Sequence, residues 1–186
     1  MAAAGNEWGP LASLAGEWEG DQGIDISYHN VEREIGEIKY REKTSLKPFG
    51  PVDNGPQHLY GLDYRMAAWR GEEENPFHTE IGYWLWDAAA QQVMRCVTVP
   101  RGSMYLAGGS ADAGDKSFYV EANCGAEDYG ILSNKYLAEN ARTSKFSCTI
   151  QIVDDNNWSY DEMSVYNHVI AGEVGHRDTN TLRRVD

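Results

Sequence analysis

Imidazole has the widest chemical range of any side chain near neutral pH, since it can carry a proton or offer a lone pair to a metal. Three of the five histidines fall where a strand pattern would hold them. His176 follows Gly172-Glu173-Val174-Gly175, and Arg177-Asp178-Thr179-Asn180 and the closing run Thr181 to Val185 come after it. A histidine introduced by glycine just before the final strand can turn its ring into whatever that strand encloses. It is then a candidate metal ligand, with Asp178, Thr179 or a backbone carbonyl fixing its other N–H; the plainer alternative is a surface turn. His168, eight residues earlier, is the rival ligand, or else a strand histidine bonded across the wall. His78 either hydrogen-bonds a bound ligand or fills the interior, and His29 and His58, in or beside polar turns, receive no role.

Other chemistries are missing from the pattern. No Ser/His/Asp nucleophile, phosphate-binding glycine loop or zinc spacing is present. Glu17 and Glu19 alternate outward around Trp18, which spoils them as a paired acid and base, and Glu72-Glu73-Glu74 is a solvated acidic turn. Cys96, Cys124 and Cys148 are odd in number and far apart, so neither a disulfide framework nor a Cys/His metal site follows. Cys124 lies in a glycine turn without the basic neighbour that would activate a thiol.

The elements that must position these residues read as strands. From Asn157 on, Trp158, Tyr160, Glu162, Ser164 and Tyr166 share one face of an extended segment. Alternation recurs over Arg33–Leu46, Gln57–Trp69, Phe77–Trp86, Gln91–Val99, Ser103–Gly108, Lys116–Cys124 and Lys145–Val153, with Trp18 the large inward residue of an earlier strand. Lys47 to Pro56 reads as a turn-rich loop, and Asp154-Asp155-Asn156-Asn157 as a hairpin turn. Residues 1 to 10 read as a flexible arm, and Leu11 to Gly16 as one helical turn stopped by glycine. Gly125 to Ser144 holds the other helical candidate, with Leu132, Tyr136 and Leu137 on one face.

About nine or ten short strands at roughly 8–12-residue spacing predict an all-β fold. The expectation is a single antiparallel up-and-down β-barrel of lipocalin or fatty-acid-binding-protein shape, spanning residues 11–186 as one domain. Hydrophobic residues at 41% suffice for a core, and 11 Tyr, 6 Trp and 4 Phe suffice to line a hollow. A net charge of −13 repels phosphate backbones and anionic bilayers, so neither nucleic acid nor membrane is an expected partner. Without a leader-like or membrane-spanning run, the expected location is cytoplasmic. The expected partner is a small molecule, with a homodimer left open.

Three motifs in order resemble the nitrobindin group of haem-binding β-barrels. They are Gly16-x-Trp18-x-Gly20, then Pro76-x-His78-x-Glu80-x-Gly82-Tyr83, then His176 near the end. Val99-Pro100-Arg101-Gly102 followed by Leu106-Ala107-Gly108-Gly109 looks like the bacterial branch, and the match runs from Leu11 to Val185. The resemblance implies a ten-stranded barrel holding ferric haem b near its open end. It makes His176 the iron ligand and brings Phe77 and His78 to the pocket on the opposite face. It further implies nitric oxide binding and isomerisation of peroxynitrite to nitrate. One departure is visible: Gln22 stands where the first motif often has a glycine, and Gly23 comes one residue later. A metal-free carrier of a fatty acid or similar apolar ligand is the second reading, and a partner-binding module with a filled interior the third.

Overall fold

The computed structural model describes residues 5–186. Its strands are β1 (Gly16–His29), β2 (Glu34–Asn54), β3 (Gln57–Arg70), β4 (His78–Asp87), β5 (Gln92–Val99) and β6 (Ser103–Ser110). They continue as β7 (Ser117–Cys124), β8 (Gly130–Ser133), β9 (Ala141–Asp154), β10 (Asn157–His168) and β11 (Gly172–Arg184), with a short helix α1 (Lys135–Asn140) before β9. They close into one barrel in the order β1, β11, β10, β9, β7, β8, β6, β5, β4, β3, β2. Neighbours pair antiparallel except for the brief parallel match of Asn123 and Cys124 in β7 with Gly130 and Ile131 in β8. The short β8 takes the count to eleven, one above the sequence expectation.

Side chains on a strand alternate between faces, so each strand divides into an interior and an exterior set. At one end the interior is dry. Trp18, Leu62, Trp84, Trp86, Trp158 and Leu182 pack there into one core. The chain's first described helix, a 3-10 segment over Asn6–Leu14, lays Leu11 and Leu14 into the same core. The Trp8 indole N–H donates to the Gly61 carbonyl at 2.9 Å and the Trp18 indole N–H to that of Leu14 at 2.8 Å. The expected loose arm therefore does not extend to Pro10: Gly9 and Pro10 are buried. Residues 1–4 of that arm lie outside the described residues. Gly9 sits at φ 53°, and a Cβ there would meet the Trp86 ring at 2.5 Å, so only glycine lets the segment lie this close.

Two irregularities differ from the sequence expectation. β2 runs through Lys47–Asn54, the stretch read as a loop, by shifting register between Phe49 and Val52. Proline lacks a donor but is tolerated at such a bulge, and the turn itself shrinks to Gly55-Pro56. In Gly125–Ser144 the predicted shared face does not form, because Leu132 belongs to β8 and is exposed while Leu137 in α1 is buried.

Candidate functional site

The other end of the barrel is hollow. A cavity of about 670 Å³ is bordered by Tyr40, Phe77, His78, Tyr105, Tyr166 and His176, among others. That volume is within the range of sites for drug-sized ligands. Tyr136, Leu137 and Asn140 of α1 border it as well, as do Val169 and Ile170 from the β10–β11 turn. The face of β10 read from the sequence is its wall: Trp158, Tyr160, Glu162, Ser164 and Tyr166 all border it.

His176 lies inside β11, not in a turn before it. Of the glycines that suggested a turn, Gly172 has the positive φ of 76°, whereas Gly175 continues the strand. His176, Asp178, Asn180 and Leu182 then share the inner face, stepping from polar to apolar toward the dry end. His176 Nε2 lies 3.0 Å from Asp178 Oδ2 and 3.3 Å from Asp25 Oδ2. The ring N–H meets neither squarely, so Nε2 is buried without a hydrogen bond. Burial alone would lower the imidazole pKa, but the two carboxylates outweigh it and raise it to about 10. Burial would likewise raise Asp25, yet His176 holds it below its ordinary value. Any cation bound at Nε2 must displace the proton that these acids favour.

Asp25 was not read as a neighbour of His176 because of a bulge. The register of β1 shifts between Gly20 and Gly23 against β2, and between Glu19 and Ile24 against β11. The inward set accordingly changes parity, from Trp18 before the bulge to Gly23 and Asp25 after it. The bend of the first motif survives the displaced glycine. Gly23 also makes room for Tyr40, whose ring would sit 2.4 Å from a Cβ at that position.

The other sequence candidates separate clearly. Phe77 and His78 reach the cavity from the start of β4, with the Arg70 guanidinium 4.5 Å from the Phe77 ring centroid. His78 Nε2 lies 3.4 Å from Glu80 Oε1. Burial would lower the His78 pKa, but Glu80 outweighs it and lifts it above the ordinary value. His168 also borders the cavity, but its Nδ1 accepts from the backbone N–H groups of Ile170 and Ala171 at 3.3 and 3.2 Å. With that lone pair engaged, the neutral ring carries its proton on Nε2 and is a poor ligand. His58 pairs with Asp53 on the surface, and His29 does not border the cavity.

Between cavity and dry core runs a polar belt that the sequence reading did not assemble. Arg95 on β5 donates to Glu80 on β4 and to Glu162 on β10, and the Tyr64 hydroxyl donates to Glu80 at 2.8 Å. Beside them Glu42 accepts from Thr44, Tyr160 and Asn180 at 2.6, 2.7 and 3.0 Å. One cation facing two carboxylates divides their behaviour. Burial opposes ionisation of Glu80, yet Arg95, His78 and Tyr64 hold it well below the usual carboxylate range. Burial, with Arg95 compensating only in part, pushes Glu162 up to about 7.

A family model described as a THAP4-like, heme-binding beta-barrel domain matches residues 7–184. The chain belongs to this haem-binding β-barrel family. The nitrobindin resemblance of its three motifs is thereby upheld. The crystal structure of Rv2717c from M. tuberculosis has a TM-score of 0.66 and 17% identity over 95% of each chain, a likeness of fold. An S-type phycobiliprotein lyase, CPES from Guillardia theta, has a TM-score of 0.44 and 9% identity, covering 94% of this chain and 89% of its own. No curated protein matches the sequence. The barrel suits the family's ligand on two counts: a cavity within the volume range of small-molecule sites, and an imidazole nitrogen in its wall with no hydrogen bond.

Proposed function

We propose that this member holds haem b in the cavity, with His176 Nε2 as the protein ligand of ferric iron, and there binds nitric oxide or isomerises peroxynitrite. The carrying observation is His176 itself: an imidazole on the inner face of β11 whose Nε2 is buried and unbonded. When bound, the haem supplies an open iron coordination position for small anions and gases. The chain's residues do the rest. Asp25 and Asp178 both face Nε2 and favour a proton there, so iron would have to take that atom in competition with the proton. Phe77 offers an apolar surface, and His78, its proton favoured by Glu80, supplies a hydrogen-bond donor at another wall. Arg70 and Arg101, at the cavity border, would pair with propionates. The free thiols Cys96, Cys124 and Cys148 favour a reducing compartment, the cytoplasm.

The metal-free carrier is the weaker reading on a specific ground. A fatty-acid carboxylate needs an available interior cation, and Arg95 is already shared by Glu80 and Glu162. Arg70 and Arg101 at the cavity border would meet a carboxylate only there, and deeper in the wall Asp25 and Asp178 outnumber the one His176 imidazole beside them and would repel it.

Haemin titration tests the proposal. A Soret band should form with wild type and with His168→Ala and fail with His176→Ala; an unchanged spectrum in His176→Ala removes the ligand assignment. Protein that stays colourless with haemin and yields lipid by mass spectrometry supports the carrier instead. Stopped-flow peroxynitrite decay should accelerate only with the haem-loaded protein, and equal decay with the haem-free protein counts against the isomerase step.

A further inference from the structure

Asp25 on β1 stands directly opposite Asp178 on β11, and His176 lies two residues away from Asp178 on the same inner face. Like charges placed directly across a strand pair destabilise the sheet unless something lies between them. The three side chains offer one nitrogen and two carboxylates, with a donor atom from each lying within 4.8 Å of the others.

The two spacings from His176 to the carboxylates are those of adjacent ligands around one ion. With metal–nitrogen and metal–oxygen bonds of about 2.0–2.2 Å, adjacent donors in tetrahedral or octahedral geometry lie roughly 2.8–3.6 Å apart. His176 Nε2 is 3.0 Å from Asp178 Oδ2 and 3.3 Å from Asp25 Oδ2. Neither is an aligned hydrogen bond, since Nε2 is buried without a partner. A second, independent feature points the same way. Asp25 is only 6% exposed and borders the cavity, and its other oxygen, Oδ1, is also buried without a partner. A buried carboxylate oxygen left unpaired is costly, and a cation offsets that cost.

We propose that Asp25, His176 and Asp178 form a mononuclear site for a first-row divalent metal ion, with zinc as the reference ion. One imidazole and two carboxylates suit such ions, and two carboxylates balance their charge. The remaining coordination positions open onto the cavity, where water or a small anionic ligand completes them. Nε2 is also the atom that haem iron would take, so the two occupants exclude each other within one molecule. The site does not depend on the haem reading: it needs all three residues, whereas haem ligation needs His176 alone.

Calorimetric titration of the EDTA-treated protein with zinc chloride tests this, run beside haemin titration of the same samples. One zinc per chain is expected for wild type. Affinity should fall by roughly 10–100-fold or more in Asp25→Asn and in Asp178→Asn, since losing a direct ligand costs at least what losing an outer partner does, and binding should vanish in His176→Ala. Near-UV and far-UV circular dichroism should be unchanged in both Asn variants, which controls for their folding, and zinc should slow haemin uptake by wild type. Cobalt substitution should give visible bands that change in each Asn variant. No zinc binding by wild type overturns the proposal and leaves Asp25 and Asp178 as counter-ions of the imidazole. Wild-type zinc affinity in the Asp25→Asn/Asp178→Asn double variant also overturns it, because that zinc sits on the acidic surface. Zinc binding as described without any Soret band sinks the haem reading and leaves this site standing.

Discussion

Arg95 on β5 donates to Glu80 on β4 inside the barrel, with side chains only 5% and 3% exposed. Glu162 on β10 takes another N–H of the same guanidinium, so a single cation ties two distant strands across the interior. The Arg95 guanidinium carbon lies 5.4 Å from the ring centroids of Tyr64, Trp84 and Phe146, which keep water from it. Removing one member of such a set leaves the others charged and unpaired.

Arg95→Leu should accordingly destabilise the barrel by about 3–5 kcal/mol at neutral pH, the usual cost of breaking a buried ion pair. Glu80→Gln should cost more than Glu162→Gln, because Glu80 also serves Tyr64 and His78. Urea unfolding of the three variants gives the order. Equal costs for the two glutamine variants would mean that the carboxylates are equivalent.

The divided carboxylates also set a pH dependence. Glu162 is faced by Arg95 of β5, Glu80 of β4, Cys148 of β9 and Asp178 of β11. Its folded pKa of about 7 lies above the ordinary 4.5, so the folded state holds the proton more tightly. The resulting stability is fully present below pH 4.5 and is lost as pH rises to about 7. Glu80, with its pKa depressed, acts in the opposite sense and withdraws stability as pH falls below 4.5. Wild-type urea midpoints should fall between pH 5 and 7.5, and Glu162→Gln should flatten that limb. A parallel decline in the variant assigns the slope to other groups.

The haem reading has its own electrostatic consequence. Arg70 and Arg101 are the arginines at the cavity border besides the internally paired Arg95. Each exposed pair with a propionate is worth about 0.2–1 kcal/mol. Arg70→Ala and Arg101→Ala should each speed haem dissociation up to about fivefold, and added salt should shrink the difference. Haem transfer to an excess apo-acceptor measures the rate.

The wall of β10 was legible because Trp158, Tyr160, Glu162, Ser164 and Tyr166 repeat at period two without interruption; the insertion of β8 between β7 and β6 was not. Nor was the inward place of Asp25, because Asp21 and Gln22 form a bulge that reverses parity, and a bulge carries no composition signal beyond its flanking glycines. His176 was singled out in the sequence but set in the wrong element, since Gly172 and Gly175 look alike in sequence and only one of them turns. Arg95 sits between Val93 and Val97 on an inward face, where its partners lie 15 and 67 residues away in the chain. Long-range charge pairing of that kind leaves no local pattern.

Leu11, the first residue of the helical turn read after the arm, tests how firmly the N-terminal segment is seated. Leu11 is 0% exposed within the dry core. Leu11→Ala should destabilise by about 2–5 kcal/mol, as for a buried leucine that leaves a cavity. A turn resting loosely on the barrel would give little change, so thermal or urea unfolding separates the two. Haem uptake should survive, since Leu11 does not border the cavity.

Gly23→Ala tests whether the bulge sets the site. The added Cβ would meet Tyr40 Cε2 at 2.4 Å, so the ring must move. Tyr40 donates to the Tyr160 hydroxyl at 2.7 Å, and Tyr160 donates onward to Glu42. Displacing Tyr40 therefore disturbs a buried chain of hydrogen bonds as well as packing, and overpacking alone costs about 1–3 kcal/mol. The variant should unfold at lower urea and lose near-UV tyrosine dichroism while keeping its far-UV spectrum. Gly175→Ala, whose Cβ would be 3.4 Å from the flexible Met163 sulfur, should be nearly neutral by the same measurements. If both variants behave alike, Gly23 is an ordinary strand glycine and the approach of Tyr40 to β1 does not constrain the wall that carries Asp25.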